Sequence, residues 1–483
     1  MSYSNWCILV DVKYNLNIMT IFTGDKDDYT AIQRHVEKIL KENRLSSHVS
    51  VHNLSAVTDY SKPALIFCIW PVPSKGYNAQ ALFEVQRKIR NLCSEQKPPI
   101  CLIGHSTDSA GFSHSLAKWI MTPQQQLISS NIEYLGLGIE EEKYMAPYFW
   151  QYPTIMYLDF EHNQRSCLRM LKYSTLDMLM ADSNPVTINH VMQLREICIT
   201  KNIEFGLSEK DLLMVKFFDQ NSDAAYNLFS MNIVNLLQEH VAGSLGTQLY
   251  ISMIIYMMEP FRNVAFGTPL ELVKSIATGL TMLRLWRQYL KCTGRKLSAQ
   301  NGAKTTPSKR GNFITSQTYD SLEIQCHAAI QHQLALYLHS PQDGHNYAVP
   351  KNASTIATER FIGQSQAKTS HLQSLNQEPS VAETIDRAGK IQHNIETLHQ
   401  LAENNVQTSA TSNRKKTISK FTSHKSHSSY KYPLEYSEFI EELKTAFCEG
   451  VSQGQKEMEK LPSEFKEVLV KNNLWEKPMT FLY

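Results

Sequence analysis

Two aspartates follow short apolar runs that have the composition of buried strands. Asp108 comes shortly after the run at 100–104, and Asp159 comes directly after the run at 154–158. Carboxyl ends of strands are where α/β sheets commonly place their sites. Clustered carboxylate oxygens are also the ligands that Mg²⁺ and similar hard cations require. The pattern therefore predicts a metal site of the kind that two-metal phosphoryl transfer uses.

A simpler interpretation of both aspartates remains open. Each one precedes a predicted helix, at 110–121 and at 160–171. Asp and Ser are favoured at the N-cap of a helix, so Asp108 or Ser109, and likewise Asp159, could serve only as caps. His162, three residues after Asp159, could equally be an ordinary surface or core histidine.

The elements around these residues predict an α/β domain at residues 1–180. Short apolar runs bounded by turn residues indicate strands, and apolar residues at helical spacing indicate helices. An alternating series of this kind is typical of an α/β sheet. The predicted strands lie at 6–12, 18–22, 64–70, 100–104 and 154–158, and the helices at 28–40, 79–93, 110–121 and 160–171.

The spacing of apolar residues changes near Pro185 and predicts a helical insertion at residues 181–345. Leu, Ile and Met recur there at helical spacing in the segments 187–199, 209–240, 246–262, 269–292 and 316–338. Residues 293–312 are poor in hydrophobic side chains and rich in Gly, Ser, Lys and Arg. Because such a segment buries little apolar surface, we expect a mobile loop near 293–312.

Three further regions complete the predicted organisation. Residues 346–405 are expected to form closing helices of the first domain, and residues 406–432 a disordered linker. Residues 433–483 carry a C-terminal helix with Phe439, Leu443 and Phe447 on one face. This apolar stripe is either a packing surface or the contact of a homo-oligomer.

Composition narrows the class of protein. The 483 residues include 48 Lys and Arg against 46 Asp and Glu, so affinity for nucleic acid must come from local patches. Nine scattered cysteines form no CxxC pair, which is typical of reduced core thiols in a nuclear or cytoplasmic protein. No apolar run is long enough for a membrane span, and no leader is expected.

The order of these motifs resembles the P-element and THAP-type transposase superfamily. Residues 106–110, Ser-Thr-Asp-Ser-Ala, are similar to the Asp and small-residue turn of that family. Asp159 and His162 are similar to its D-x-x-H motif, and Arg165 and Arg169 to the basic helix that follows. The resemblance implies a ribonuclease-H-like mixed sheet, interrupted by a large all-α insert and followed by a helical C-terminal tail.

The resemblance also implies a reaction and a set of residues. Glu359, in the segment 357–361, is similar to the acidic residue of the family's closing helix, although an exposed helical Glu is the ordinary alternative. With Asp108 and Asp159 it would hold Mg or Mn for phosphodiester cleavage and strand transfer. DNA is the expected partner, through His162, Arg165, Arg169, Arg284, Arg287, Arg295 and Lys296, unless these cations are merely solvated.

One departure from the family pattern bears on activity. The family places its first catalytic Asp on the first strand, where this chain has Ser4 or Asn5. Asp11 lies on the same predicted strand at a different offset. The alternative to an active enzyme is therefore a domesticated, non-catalytic protein that binds DNA or protein.

Overall fold

The computed structural model describes residues 46–54, 65–73, 79–95, 102, 104–107, 114–117, 148–149, 153–173, 178–212, 222–262, 268–295, 297, 311–339 and 435–478. The chain divides into two compact units. One contains residues 1–88 and 355–423, and the other contains residues 89–354 and 424–483. The strands predicted at 6–12 and 18–22, the helix at 28–40 and the linker at 406–432 lie outside the described residues.

A β-hairpin belongs to the first unit. Strand β1 (Ser46–Leu54) pairs antiparallel with strand β2 (Leu65–Pro73), and Val51 lies opposite Ile69. The prediction of a strand at 64–70 is confirmed, whereas β1 was missed because its three apolar residues, Val49, Val51 and Leu54, form no continuous apolar run. Helix α1 (Ala79–Ser94) follows in sequence and matches the predicted helix at 79–93.

A small mixed sheet belongs to the second unit. It consists of β3 (Gly104–Thr107), β4 (Tyr148–Phe149) and β5 (Pro153–Leu158), in the order β3-β5-β4. Strand β3 is parallel to β5, and β4 is antiparallel to it. The strand predicted at 154–158 is confirmed. The described strand β3 overlaps the strand predicted at 100–104 at Gly104, and residues 100, 101 and 103 lie outside the described residues. Gly104 suits this position because an added Cβ would lie 2.7 Å from the Ile155 carbonyl oxygen.

Helices make up most of the rest of the second unit that the structure describes. Helix α2 (Phe160–Tyr173) leads into a short hairpin of β6 (Leu179–Ala181) and β7 (Asn184–Pro185), which the sequence reading missed. The predicted helical segments are confirmed as α3 (Ile188–Lys201), α4 (Glu209–Leu212), α5 (Ser222–Leu228), α6 (Met231–His240), α7 (Leu245–Arg262), α8 (Pro269–Cys292) and α9 (Ser316–His339).

Local sequence sets the start of the long helix α8. Thr268 accepts a hydrogen bond from the Glu271 backbone N–H at 3.2 Å, and the Glu271 carboxylate accepts one from the Thr268 N–H at 2.7 Å. Pro269 occupies the first helical position, where its missing N–H costs nothing. This reciprocal capping box explains why the helix begins where the apolar periodicity begins.

One hydrophobic core runs from Phe160 to Trp475. At its centre Trp286 packs edge-on against Tyr250 and Phe313, with ring centroids 6.0 and 4.4 Å apart. Helix α2, the helical block and the C-terminal helices all contribute to this core. It therefore joins segments that the sequence reading assigned to three separate regions.

The C-terminal helices α10 (Tyr436–Met458) and α11 (Ser463–Lys471) pack within this unit. Phe439, Leu443 and Phe447 are buried, which confirms the packing interpretation of the predicted apolar stripe. Gly450 and Gly454 allow α10 to approach α8 closely. An added Cβ on Gly450 would lie 2.4 Å from the Lys274 carbonyl oxygen, and one on Gly454 would lie 2.7 Å from that of Thr278.

Six of the cysteines lie among the residues whose side chains the structure describes. Cys93, Cys167, Cys198, Cys292, Cys326 and Cys448 are free thiols, and most of them are buried. Within the same part of the chain, no helix combines the length and apolar character needed to cross a membrane.

Candidate functional site

The parallel strands β3 and β5 end at the same edge of the sheet. Thr107 is the register partner of Leu158, and the Asp159 backbone N–H donates a hydrogen bond of 2.9 Å to the Thr107 carbonyl. Asp159 therefore lies directly beside the end of β3. Asp108 follows Thr107 in the sequence but is outside the described residues, so its predicted place beside Asp159 stays a prediction.

Asp159 is a buried helix cap. Its side chain is fully buried, and Oδ1 accepts a 3.0 Å hydrogen bond from the Glu161 backbone N–H at the start of α2. The N-cap interpretation is thus confirmed. A carboxylate has about four lone-pair positions, so one capping bond does not by itself preclude a second role as a ligand.

His162 and Arg165 form a pair on the first turns of α2. The His162 Nδ1 lies 2.8 Å from the Arg165 Nη2. A guanidinium group can only donate, so Nδ1 accepts and the ring proton sits on Nε2. Arg169 lies one further turn along and is also partly exposed, so these three side chains follow one face of the helix. Lys172, at the end of α2, is fully buried and does not extend this basic face.

Arg284 does not have the exposed position that a DNA contact requires. Its side chain is only 3% exposed and forms a bidentate ion pair with Glu323 of α9, at 2.8 Å from Nε to Oε1 and 2.6 Å from Nη2 to Oε2. The expectation that Arg284 binds DNA is therefore wrong. Burial of a cation requires such a partner, and this partner occupies its bidentate edge.

The remaining predicted cations differ in their surroundings. Arg287 stacks over the Tyr319 ring at 4.2 Å, and Arg295 forms an exposed ion pair of 2.9 Å with Asp182. Arg287 is partly exposed and Arg295 is exposed, so their predicted role in DNA binding stays a prediction. Lys296 is outside the described residues.

The Arg284–Glu323 pair belongs to a larger buried network. Tyr319 donates a hydrogen bond of 2.5 Å to Glu323 Oε1, and His327 Nε2 accepts from Arg284 at 3.2 Å. Burial raises the pKa of the Glu323 carboxyl, but the Arg284 charge and its hydrogen bonds outweigh burial and hold the pKa well below its usual value. Burial lowers the pKa of His327, so this network contains one cation and one anion.

Helix α9 also contacts the end of strand β5, next to Asp159. The sequence did not predict this contact. Gln325 Oε1 accepts a 3.1 Å hydrogen bond from the Leu158 backbone N–H, and the Ser321 carbonyl accepts one of 3.5 Å from Asn163 Nδ2. We call residues 158–163 the β5–α2 corner. The available signal was Ser321 and Gln325, polar residues one helical turn apart in a segment that proves fully buried.

The described residues contribute one carboxylate to the predicted metal site. No group of three His, Cys, Asp or Glu side chains suited to a metal occurs in the part of the chain that the structure describes. Asp159 fits a hard divalent cation by its chemistry and by its place at a strand end. The other two predicted ligands, Asp108 and Glu359, lie outside the described residues.

Comparison with known proteins gives a distant structural similarity. No family model matches the chain, and no curated protein matches it. A solved structure, "Drosophila P element transposase strand transfer complex", is similar over 71% of this chain and 76% of that one, with a TM-score of 0.46 and 12% sequence identity.

Proposed function

We propose that this chain is a transposase-derived protein that acts on DNA, with a ribonuclease-H-like core in its sheet region. The observation that carries the proposal is the parallel register of β3 and β5, which places Asp159 beside the end of β3. The order of the sequence motifs supports the same class of protein. Asp108, Asp159 and Glu359 are the proposed metal ligands, with Mg or Mn as the cation.

Different residues of the chain are proposed to hold the metal and to bind DNA. A bound divalent cation supplies charge stabilisation for the in-line displacement at a phosphodiester. Asp159 holds its carboxylate at the strand end, and its capping bond to the Glu161 N–H fixes the rotamer. His162, Arg165 and Arg169, on one partly exposed face of α2, are the proposed contacts to DNA phosphates.

Metal titration tests the proposal directly. We expect Asp159→Asn to lose Mn²⁺ binding measured by calorimetry, because an amide keeps the capping oxygen but lacks the charge. Asp182→Asn is the matched control, since Asp182 is an exposed acid on the β6–β7 turn that pairs with Arg295. Equal Mn²⁺ affinity in the wild type and Asp159→Asn would contradict the role of Asp159 as a ligand.

The proposed DNA surface has its own test. We expect Arg165→Gln with Arg169→Gln to weaken DNA binding and to lower the salt dependence by about two counterions. Arg195→Gln is the control, because Arg195 lies on α3 in an ion pair with Glu196 and Glu209. An unchanged salt slope in the double variant would exclude this face of α2 as a phosphate contact.

A non-catalytic DNA- or protein-binding role is the second candidate. The observation in its favour is that Asp159 is fully buried and already caps α2. Under this proposal the chain binds DNA, whereas Mn²⁺ neither binds at Asp159 nor supports strand cleavage. Retained DNA binding together with absent Mn²⁺ binding would decide for this role.

A further inference from the structure

Helix α9 is buried along most of its length although it is rich in polar side chains. Residues 321–333 are all buried, and about half of them are polar or charged. Burial of a polar group is costly unless it forms hydrogen bonds. The buried polar residues of α9 therefore require hydrogen-bond partners.

Polar contacts of α9 occur on both of its sides. Toward α8, Glu323 pairs with Arg284, and the hydroxyl of Tyr319, on α9 itself, also donates to Glu323. Toward the sheet, Gln325 binds the Leu158 N–H and His332 Nδ1 contacts the Tyr157 hydroxyl. Helix α9 thus connects the helical block to strand β5 through hydrogen bonds as well as through apolar contact.

Gln325 protects part of a strand edge where no strand pairs among the described residues. The Asp159 N–H points to β3, where it binds the Thr107 carbonyl, so the preceding N–H of Leu158 points to the opposite side of β5. On that side the described residues of β4 pair with residues 153 and 154. The Gln325 side chain provides the acceptor that a neighbouring strand would otherwise provide.

We propose that Gln325 is a positioning residue for Asp159. This inference rests on the proposed function of Asp159 as a metal ligand. Two consecutive amides, those of Leu158 and Asp159, are bound on opposite sides of the strand by Gln325 and Thr107. The backbone that carries the carboxylate is thereby held from both sides. The position of a metal ligand has to be kept within about 0.5 Å, and supporting hydrogen bonds of this kind keep it there.

The amide oxygen is the atom of Gln325 that acts. Its Nε2 is buried and has no hydrogen-bond partner among the described residues. A change to Glu keeps an acceptor oxygen at this position, because full burial favours the neutral form of the carboxyl, whereas Leu removes the acceptor with little change in volume. Gln333 offers a matched control on the same helix, because it is fully buried and neither of its side-chain polar atoms has a partner in the described part of the chain.

Amide hydrogen exchange measures the positioning without relying on activity. The full chain, labelled selectively with ¹⁵N-Leu and ¹⁵N-Glu, reports the amides of Leu158 and Glu161 by NMR. We expect Gln325→Leu to accelerate exchange at Leu158 by about tenfold, the effect of losing one buried hydrogen bond. Exchange at Glu161 should also accelerate, because its acceptor is the Asp159 carboxylate. Gln325→Glu should restore both, and Gln333→Leu should change neither.

The outcomes separate this inference from the proposed function. Faster exchange at Leu158 with unchanged exchange at Glu161 would overturn it, since Gln325 would then protect only the strand edge. The same acceleration in Gln333→Leu would also overturn the inference, because loss of any buried side-chain amide from α9 would then speed exchange at Leu158. A wild-type chain that binds no Mn²⁺ would overturn the metal role of Asp159, while the exchange rates still decide whether Gln325 positions it.

Discussion

Two interfaces of helical segments in the same unit are built on different principles. The contact of α8 with α10 depends on shape, because Gly450 and Gly454 bring the two backbones together. The contacts of α9 with α8, β5 and α2 depend on buried hydrogen bonds and one ion pair, formed by Gln325, Ser321 and Glu323. An interface that depends on shape is destabilised by added volume. A buried polar contact is destabilised when one of its partners is removed.

The largest effect is expected from breaking the polar interface at its charge pair. Arg284→Met leaves Glu323 buried without its cation, which should lower the free energy of unfolding by about 3–5 kcal/mol. Arg284→Met combined with Glu323→Met should recover most of that loss, because no uncompensated charge remains. Chemical denaturation measures both. A double variant as unstable as the single one would show that packing, and not charge, dominates this contact.

Acid should weaken the polar interface at His332. Burial lowers the pKa of His332 from 6.5 to about 4. Its folded pKa is below its unfolded one, so the unfolded chain takes up the proton first, and stability falls as the pH drops from 6.5 toward 4. The loss at the lower end is about 3 kcal/mol by linkage.

The variant His332→Gln isolates this term. Gln keeps an acceptor for the Tyr157 hydroxyl but does not titrate. The free energy of unfolding, measured from pH 7 to pH 4, should fall less steeply in this variant than in the wild type. Parallel curves for the two proteins would exclude His332 as the source of the acid sensitivity.

An added methyl group should break the shape-dependent interface. Gly450→Ala places a Cβ against the Lys274 carbonyl oxygen, and we expect a loss of about 1–3 kcal/mol in thermal or denaturant unfolding. In an unobstructed helix the same change would stabilise by about 0.5–1 kcal/mol. Ser452→Ala, at an exposed position of α10, should be nearly neutral. A stabilised Gly450→Ala variant would show that the two helices separate easily.

The smallest effect is expected at Asp159, where cap and proposed ligand coincide. Asp159→Asn should change stability by only about a few tenths of a kcal/mol, since Asn caps helices as well as Asp does. Asp159→Ala should cost about 1 kcal/mol, because the Glu161 N–H loses its acceptor. Equal stability of the Ala and Asn variants would mean that the capping bond contributes little.

Elements that depend on a local sequence pattern were the most predictable. The helices α7, α8 and α9 follow from apolar periodicity, and the start of α8 follows from Thr268, Pro269 and Glu271. Strand β5 and the capping role of Asp159 were likewise readable. Strand β1 was not predicted because its few apolar residues form no continuous run, and its pairing with β2 is what identifies it as a strand.

The candidate site was only partly accessible to the same reasoning. A strand followed by Asp159 and His162 marks the β5–α2 corner from the sequence alone. Gln325 could not be found in this way, because it lies 167 residues from the amide that it binds. The local pattern gave the wrong prediction for Arg284, because a cation beside a basic loop suggests an exposed patch. Its ion pair with the distant Glu323 shows that it is buried.

By itself, then, the sequence determined the helices, the strand that ends at Asp159 and the cap that begins α2. These depend on propensity, periodicity and capping among residues that are neighbours along the chain. Only the tertiary structure decided that α9 binds the Leu158 N–H at the end of β5, that Arg284 is buried, and that α10 packs on α8. Burial and the pairing of polar groups depend on residues far apart in sequence, and those meet only when the core forms.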